Sequence, residues 1–308
     1  MRVFFFEVNA TNSTSFCGYN CGMMSIPEHP EKSMSEPTKL RSEAASIGQQ
    51  GVFYDDGPRW WLPKQWKRLR VQFAQYRREI GLLEEAIEIQ KRWLGDLSSK
   101  RVLDLGAGDG NVLTMYIARS CKEYVAVDLS AKRIAILQEK LLRAGLAHAI
   151  AEVRDAMAED WPHGEFDVIY CSSVLNAFRD TDSAIRMLKR RLHRGGIVVA
   201  WEPLKTSWLN IVIRGLYRPF QPDRAWHWPL SRQALRRYAS EFEVKAVHGL
   251  LGWSKWGFPF YVCPWFRGLG IAIGRRLAGL DRKRAARLGR GLWGCHQAVL
   301  VLEKSRLN

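Results

Sequence analysis

The stretch Val102-Leu103-Asp104-Leu105-Gly106-Ala107-Gly108-Asp109-Gly110-Asn111 constrains this chain more than any other. An apolar run enters a turn of three alternating glycines and leaves it toward a helix. Glycine has no Cβ, so such a turn can take positive φ and let a ligand lie against bare backbone. The first turn of the helix beyond it offers N–H groups with no intrahelical partner. A dinucleotide-binding turn spaces its glycines G-x-G-x-x-G around a pyrophosphate. Here the spacing is G-x-G-x-G, preceded by Asp104 at the strand's end, a carboxylate that suits a cationic ligand.

Beyond Lys100, short β-rich runs alternate with helical stretches, as in a doubly wound α/β sheet. Seven strands are predicted, over 101–105, 124–128, 151–154, 166–171, 196–202, 243–248 and 296–303. The last two read as a terminal pair, yet 249–295 lies between them, far longer than a hairpin loop. Upstream, Trp66, Leu69, Phe73, Tyr76, Ile80, Leu83 and Ile87 follow one another in three- and four-residue steps, predicting a helix with one apolar stripe. That stripe could be a short coiled-coil seam; the break at Gly81 and the short run favour docking on its own domain. Residues 1–50 are rich in Ser, Asn, Glu and Pro without an apolar period and read as a disordered leader. Little before Met34 looks able to pack, which leaves the native start open between Met1 and Met34. Glu7 ends the opening apolar run too early for a secretory signal.

The second strand ends at Asp128, twenty residues beyond Gly108, where a carboxylate can accept from both hydroxyls of a ribose. The third leads into Asp155-Ala156, followed by Trp161-Pro162 and Phe166-Asp167-Val168-Ile169-Tyr170. In this combination the chain resembles the class I S-adenosylmethionine-dependent methyltransferases of the small-molecule type, over roughly residues 98–205. The resemblance implies a Rossmann-like doubly wound seven-stranded sheet at 98–308, with an N-terminal helical cap at 51–97. Substrate-side insertions would lie at 203–240 and at 249–295, the latter the long insertion between the last two strands. The implied cofactor is S-adenosyl-L-methionine. Asp104 and Gly106 would lie near its amino acid portion, with Gly108 and Gly110 allowing close approach, and Ala107 would be a further cofactor-binding residue of the turn. Asp128 would hold the ribose and Leu129 pack on the adenine. Asp155 and the backbone N–H of Ala156 would meet the adenine edge, and Ser172 would sit beside the methionine end.

Two departures stand out. Arg194 replaces the usual Pro before Gly195-Gly196, and Asn176 and Ala177 stand where many relatives carry histidine, so a base at that site is absent. His227 and Glu202 remain candidate general bases, against the plainer readings of a surface histidine and a capping carboxylate. No catalytic residue is assigned.

The acceptor is narrowed by what is missing. No Asp/Asn-Pro-Pro-aromatic segment follows the fourth strand, no Pro-Cys nucleophile appears, and no acidic cluster or complete cysteine set predicts a metal site. Hydrophobic residues make up 47% and charged residues 25%, enough for a large core. The net charge is +16, and residues 201–308 hold 19 Lys/Arg against 6 Asp/Glu. Eight of the thirteen tryptophans fall after the fifth strand begins, where acceptor pockets of open α/β sheets are built. The expected acceptor is a small hydrophobic or lipid-like molecule, with peripheral contact to anionic membrane open to the aromatic and basic 249–295 segment. The expected setting is cytoplasmic. An RNA methyltransferase using the basic last third, and a non-catalytic cofactor-binding partner protein, are the alternatives.

Overall fold

The computed structural model describes residues 64–217 and 226–305, with Gln50 alone before them. Apart from Gln50, the expected leader and the start of the cap through residue 63 lie outside the described residues.

The strands are β1 (Arg101–Leu105), β2 (Glu123–Asp128), β3 (Ala149–Val153), β4 (Phe166–Ser172), β5 (Leu192–Pro203), β6 (Glu243–Leu250) and β7 (Gln297–Glu303). They form one sheet in the order β3-β2-β1-β4-β5-β7-β6, with β7 antiparallel to both its neighbours. The expected seven-stranded doubly wound architecture is borne out. Its strand order reverses between β1 and β4, the point where open α/β sheets leave a crevice at the carboxyl ends of their strands.

β5 begins four residues earlier than the sequence suggests. Gly195, at φ 76°, keeps the chain going through an irregularity opposite Phe166 and Val168, and its N–H donates to the Lys304 carbonyl at 2.9 Å. A Cβ on Gly196 would come within 2.9 Å of the Asp167 carbonyl, so the paired glycines admit a neighbouring strand rather than form a turn.

The helices are α1 (Lys64–Glu79), α2 (Leu82–Leu94), α3 (Val112–Ser120), α4 (Ala131–Arg143), α5 (Thr181–Arg191), α6 (Trp208–Tyr217), α7 (Arg232–Glu241), α8 (Phe258–Tyr261), α9 (Arg267–Arg284) and α10 (Arg290–Trp293). Asn111, Ser130, Asp180 and Ser231 cap α3, α4, α5 and α7 by accepting from N–H groups of their first turns. Because strand side chains alternate, Leu103, Val125, Ile169, Val198 and Leu300 fill one layer of core and Val102, Tyr124, Val168, Val199 and Val301 the other.

Gly81, in the left-handed region at φ 80°, separates α1 from α2. Tyr76 and Ile80 of the stripe pack with Leu250, Tyr261 and Ala278 of the same chain, whereas Leu69 is exposed. The connection between β6 and β7 supplies much of that contact. Its helix α9 buries Gly270, Gly274 and Ala278 at four-residue intervals, and a Cβ on Gly274 would strike the Tyr76 hydroxyl. One turn further, the buried Asp281 carboxylate accepts from the N–H groups of Gly252, Trp253 and Ser254, which anchors the start of the insertion. The insertion thus sits over the end of β6 and the start of β7, at the edge where β1, β4 and β5 also end.

Candidate active site

The glycine turn forms as its residue types require. Gly106, Gly108 and Gly110 take φ values of 65°, 55° and 79°, which L side chains avoid. Gly106 has a second reason to lack a side chain, since a Cβ there would lie 2.5 Å from the Val174 side chain. The N–H groups of Gly106 and Ala107 donate to the Val127 carbonyl, holding the turn against the end of β2.

Asp128 ends β2 beside this turn. Its Oδ2 accepts from the Gly108 N–H at 2.9 Å and its Oδ1 from the Ser130 N–H at 2.9 Å. Burial raises its pKa, opposed by those two bonds and by Arg133. Leu129 follows, partly buried. Past β3, the Asp155 Oδ1 caps its own turn by accepting from the Met157 N–H at 2.8 Å, and Ala156 is buried against the core. Since β3, β2, β1 and β4 are adjacent in that order, Asp155, Asp128, the glycine turn and Ser172 line one edge of the sheet.

Asp104 is the exception. Its side chain is 2% exposed and lies beneath the turn, where Oδ2 accepts from Thr114 Oγ1 at 2.9 Å and from the Tyr124 hydroxyl at 2.7 Å. Burial pushes its pKa up to about 7, because the low-dielectric surroundings penalise the charge more than two hydroxyl donors favour it. In this geometry Asp104 braces β1, β2 and α3 behind the site instead of facing its opening. Tyr170 lies opposite it in register on β4, also buried. Neither tyrosine was expected in the site, although period-two alternation through β2 and β4 would have put both on the Asp104 face.

The turn after β4 is held by a second buried carboxylate. Ser173 adopts φ 60°, a strained value for a residue with a side chain. Glu202, fully buried at the end of β5, accepts from the N–H groups of Val174, Leu175 and Asn176 and from Asn176 Nδ2. Burial pushes Glu202 up to about 7 against the pull of those four donors. Its oxygens are committed to the turn, so the candidate base is a positioning residue. The His227 segment docks at the same place, where the Trp228 N–H donates to the Asn176 carbonyl at 2.6 Å.

A family profile described as "Methyltransferase domain" matches residues 73–250, more than half of the chain. The chain belongs to this methyltransferase family. The expected fold and S-adenosylmethionine as the family's methyl donor stand with that membership. Among curated relatives of this methyltransferase, the ubiquinone biosynthesis O-methyltransferase of Ralstonia nicotianae is 29% identical over 158 residues, covering 50% of this chain and 60% of the relative. The protein of the same name from Methylococcus capsulatus is 26% identical over 167 residues, 52% of this chain and 62% of the relative. The chain therefore spans less than two thirds of the length of these relatives. Two solved structures share the fold. YcgJ from Bacillus subtilis superposes with a TM-score of 0.50 at 17% identity, over 72% of this chain and 99% of that one. Geranyl diphosphate C-methyltransferase from Streptomyces coelicolor A3(2), solved with Mg2+, geranyl diphosphate and S-adenosyl-L-homocysteine, superposes with a TM-score of 0.50 at 14% identity, over 72% and 79%.

Proposed function

We propose that this methyltransferase transfers the methyl group of S-adenosylmethionine to a small, largely hydrophobic acceptor at the carboxyl edge of its sheet. The observation that carries this reading is the bare-backbone turn of Gly106 to Gly110 lying against the Asp128 carboxylate, one strand away from an aromatic wall. The residues suit the cofactor: a carboxylate at the end of β2 can take two ribose hydroxyls once Gly108 yields it, and Asp155, beyond β3, would meet the adenine edge. When bound, the cofactor supplies a methyl group on a positively charged sulfur, ready for in-line displacement.

The protein's part is alignment and exclusion of water. Ser172 pairs in register with Trp201 on β5, and Trp201, Phe73 and Phe258 each pack against the core cluster that holds Tyr76, Leu250 and Tyr261. The Glu202 clamp fixes the turn between Ser172 and that wall. The names of the curated relatives, ubiquinone biosynthesis O-methyltransferases, support a small-molecule acceptor.

Contact with an anionic membrane is supported by an exposed ridge on the insertion. Trp265 is 91% exposed, and Trp256, Phe260, Phe266 and Leu269 are exposed near it. Arg276, Lys283, Arg287 and Arg290 are exposed further along the same segment. No helix among the described residues is long and apolar enough to cross a membrane. Incubation with methyl-labelled cofactor and fractionated cell extract tests the acceptor class. Label in an organic-extractable small-molecule fraction is expected; label in RNA would replace this reading with a nucleic-acid one.

A further inference from the structure

Burying a guanidinium is costly unless its donors find partners, so a buried arginine at the end of a helix calls for a reason. Arg191, the last residue of α5, is 7% exposed, and its Nε is buried without an acceptor. Its Nη2 donates to the Ala158 carbonyl at 2.5 Å and to the Ala156 carbonyl at 3.4 Å. The guanidinium also lies 4.3 Å from the centre of the Trp161 ring system. All these partners belong to one loop, between β3 and β4, that carries Asp155 and Ala156. Burial and the neighbouring cations Arg190 and Arg154 pull the Arg191 pKa down, while Asp155 and Asp160 oppose them.

These contacts act on individual peptide planes. The peptide between Ala156 and Met157 gives its carbonyl to Arg191 and its N–H to Asp155 Oδ1, the latter at 2.8 Å. A peptide unit is planar, so two bonds at its opposite ends fix its rotation. The Ala158 N–H donates to the Asp155 carbonyl at 3.1 Å and closes the turn, and the Ala158 carbonyl takes the shorter Arg191 bond. Trp161 is itself held, its Nε1 donating to the Gly164 carbonyl at 3.0 Å and its ring meeting Phe166 of β4 at 6.3 Å between centroids. Arg191 therefore joins this turn to α5 and to the packed face of Trp161.

Once these bonds are made, two polar groups of the turn are left over. Among the described residues, no donor meets Asp155 Oδ2 and no acceptor meets the N–H of the buried Ala156. An acceptor and a donor on consecutive residues complement a base edge that presents an amine beside a ring nitrogen, as adenine does. Which way the two groups point depends on the peptide planes that Arg191 holds.

We propose that Arg191 is a positioning residue for the cofactor's nucleobase: by holding the Ala156 and Ala158 carbonyls and the face of Trp161, it sets Asp155 and the Ala156 N–H against the adenine edge. The proposal rests on the methyl-transfer reading, with S-adenosylmethionine as donor. The test compares S-adenosylhomocysteine with S-inosylhomocysteine by calorimetry on the full chain. The inosine base carries an oxygen in place of the amine and an N–H in place of the ring acceptor, so it mismatches both groups. The parent should prefer the adenosyl ligand about a hundredfold or more. Arg191→Leu should cut that preference about tenfold or more, chiefly by weakening the adenosyl ligand. Arg191→Lys, which keeps the charge and can reach one carbonyl, should restore part of it, and Trp161→Leu should lose a smaller part. Arg190→Gln, an exposed neighbour, should leave the preference as it is. A ratio between two ligands is not moved by a mere loss of stability. Lower melting of Arg191→Leu with the parent's preference intact would mean that Arg191 only braces the fold, and would overturn the proposal. If Arg191→Leu does not fold, an unchanged preference in both Arg191→Lys and Trp161→Leu overturns it equally. A parent that binds both ligands alike removes the adenine role of Asp155 and Ala156, and the proposal with it, but leaves the methyl-transfer reading intact. Failure to bind S-adenosylhomocysteine removes that reading.

Discussion

Asp128 and Asp104 end adjacent strands, yet their surroundings separate them chemically. Asp128 accepts from backbone N–H groups at the lip of the glycine turn, where a ribose can compete for its oxygens. Asp128→Ala should weaken S-adenosylhomocysteine binding by about 1–3 kcal/mol, the worth of hydrogen bonds to a charged acceptor, and calorimetry would measure it. An unchanged affinity would take Asp128 out of the site. Asp104 and Glu202 are buried with folded pKa values raised to about 7. Between their ordinary carboxylate values and about 7, the native state keeps protons that the unfolded chain has released. Their contribution to stability is therefore full at acid pH and declines as pH rises toward 7. Glu202→Gln, neutral throughout, should remove about half of that decline in denaturant melts compared at about pH 5 and about pH 8. Glu202→Ala, which strands several buried N–H donors, should cost roughly 3 kcal/mol at about pH 5 and less at about pH 8, where the parent has already lost part of the Glu202 contribution.

At the scale of elements, α9 divides its basic residues between two tasks. Arg267 and Arg275 bind Glu79 of α1, the first through its carboxylate and the second through its carbonyl, and Arg282 pairs with Glu85 of α2. These residues fasten the insertion to the N-terminal helices, so part of the positive surplus of the last third is structural. Arg276 and Lys283 of α9 are exposed, as is Arg287 just beyond its end. Replacing these three by Gln should reduce co-sedimentation with anionic vesicles, at about 1 kcal/mol for each charge near the surface, and leave neutral vesicles unaffected. Trp265→Ser with Phe266→Ser should reduce binding to both. If neither variant changes vesicle binding, the membrane reading falls.

For the whole molecule, any ligand that binds only the folded state raises stability by mass action. S-adenosylhomocysteine at one hundred times its dissociation constant should add about 2.7 kcal/mol, visible as a raised denaturation midpoint. Methyl transfer by displacement at sulfur needs no Lewis acid, and among the described residues no group of three His, Cys, Asp or Glu side chains could share a metal ion. Turnover should therefore survive a chelator; loss of activity restored by Mg2+ would show the acidic residues to have been misread.

What could be read in the chain beforehand was whatever depends on near neighbours. Gly106, Gly108 and Gly110 between a strand and a helix, acids at the ends of the next two strands, and seven β-rich runs all express local conformational preference and period-two burial. Even the break at Gly81 belongs to this class. The strand from Leu192 escaped notice because pairing with β4 and β7, not propensity, extends it through Gly195-Gly196. The same applies to the Glu202 clamp on residues 174–176 and to the Asp104 brace with Tyr124 and Tyr170. These residues are separated by 20 positions or more in the chain. Each alone reads as a surface charge or a core aromatic, and their chemistry arises only when packing removes water and brings the groups within reach of one another.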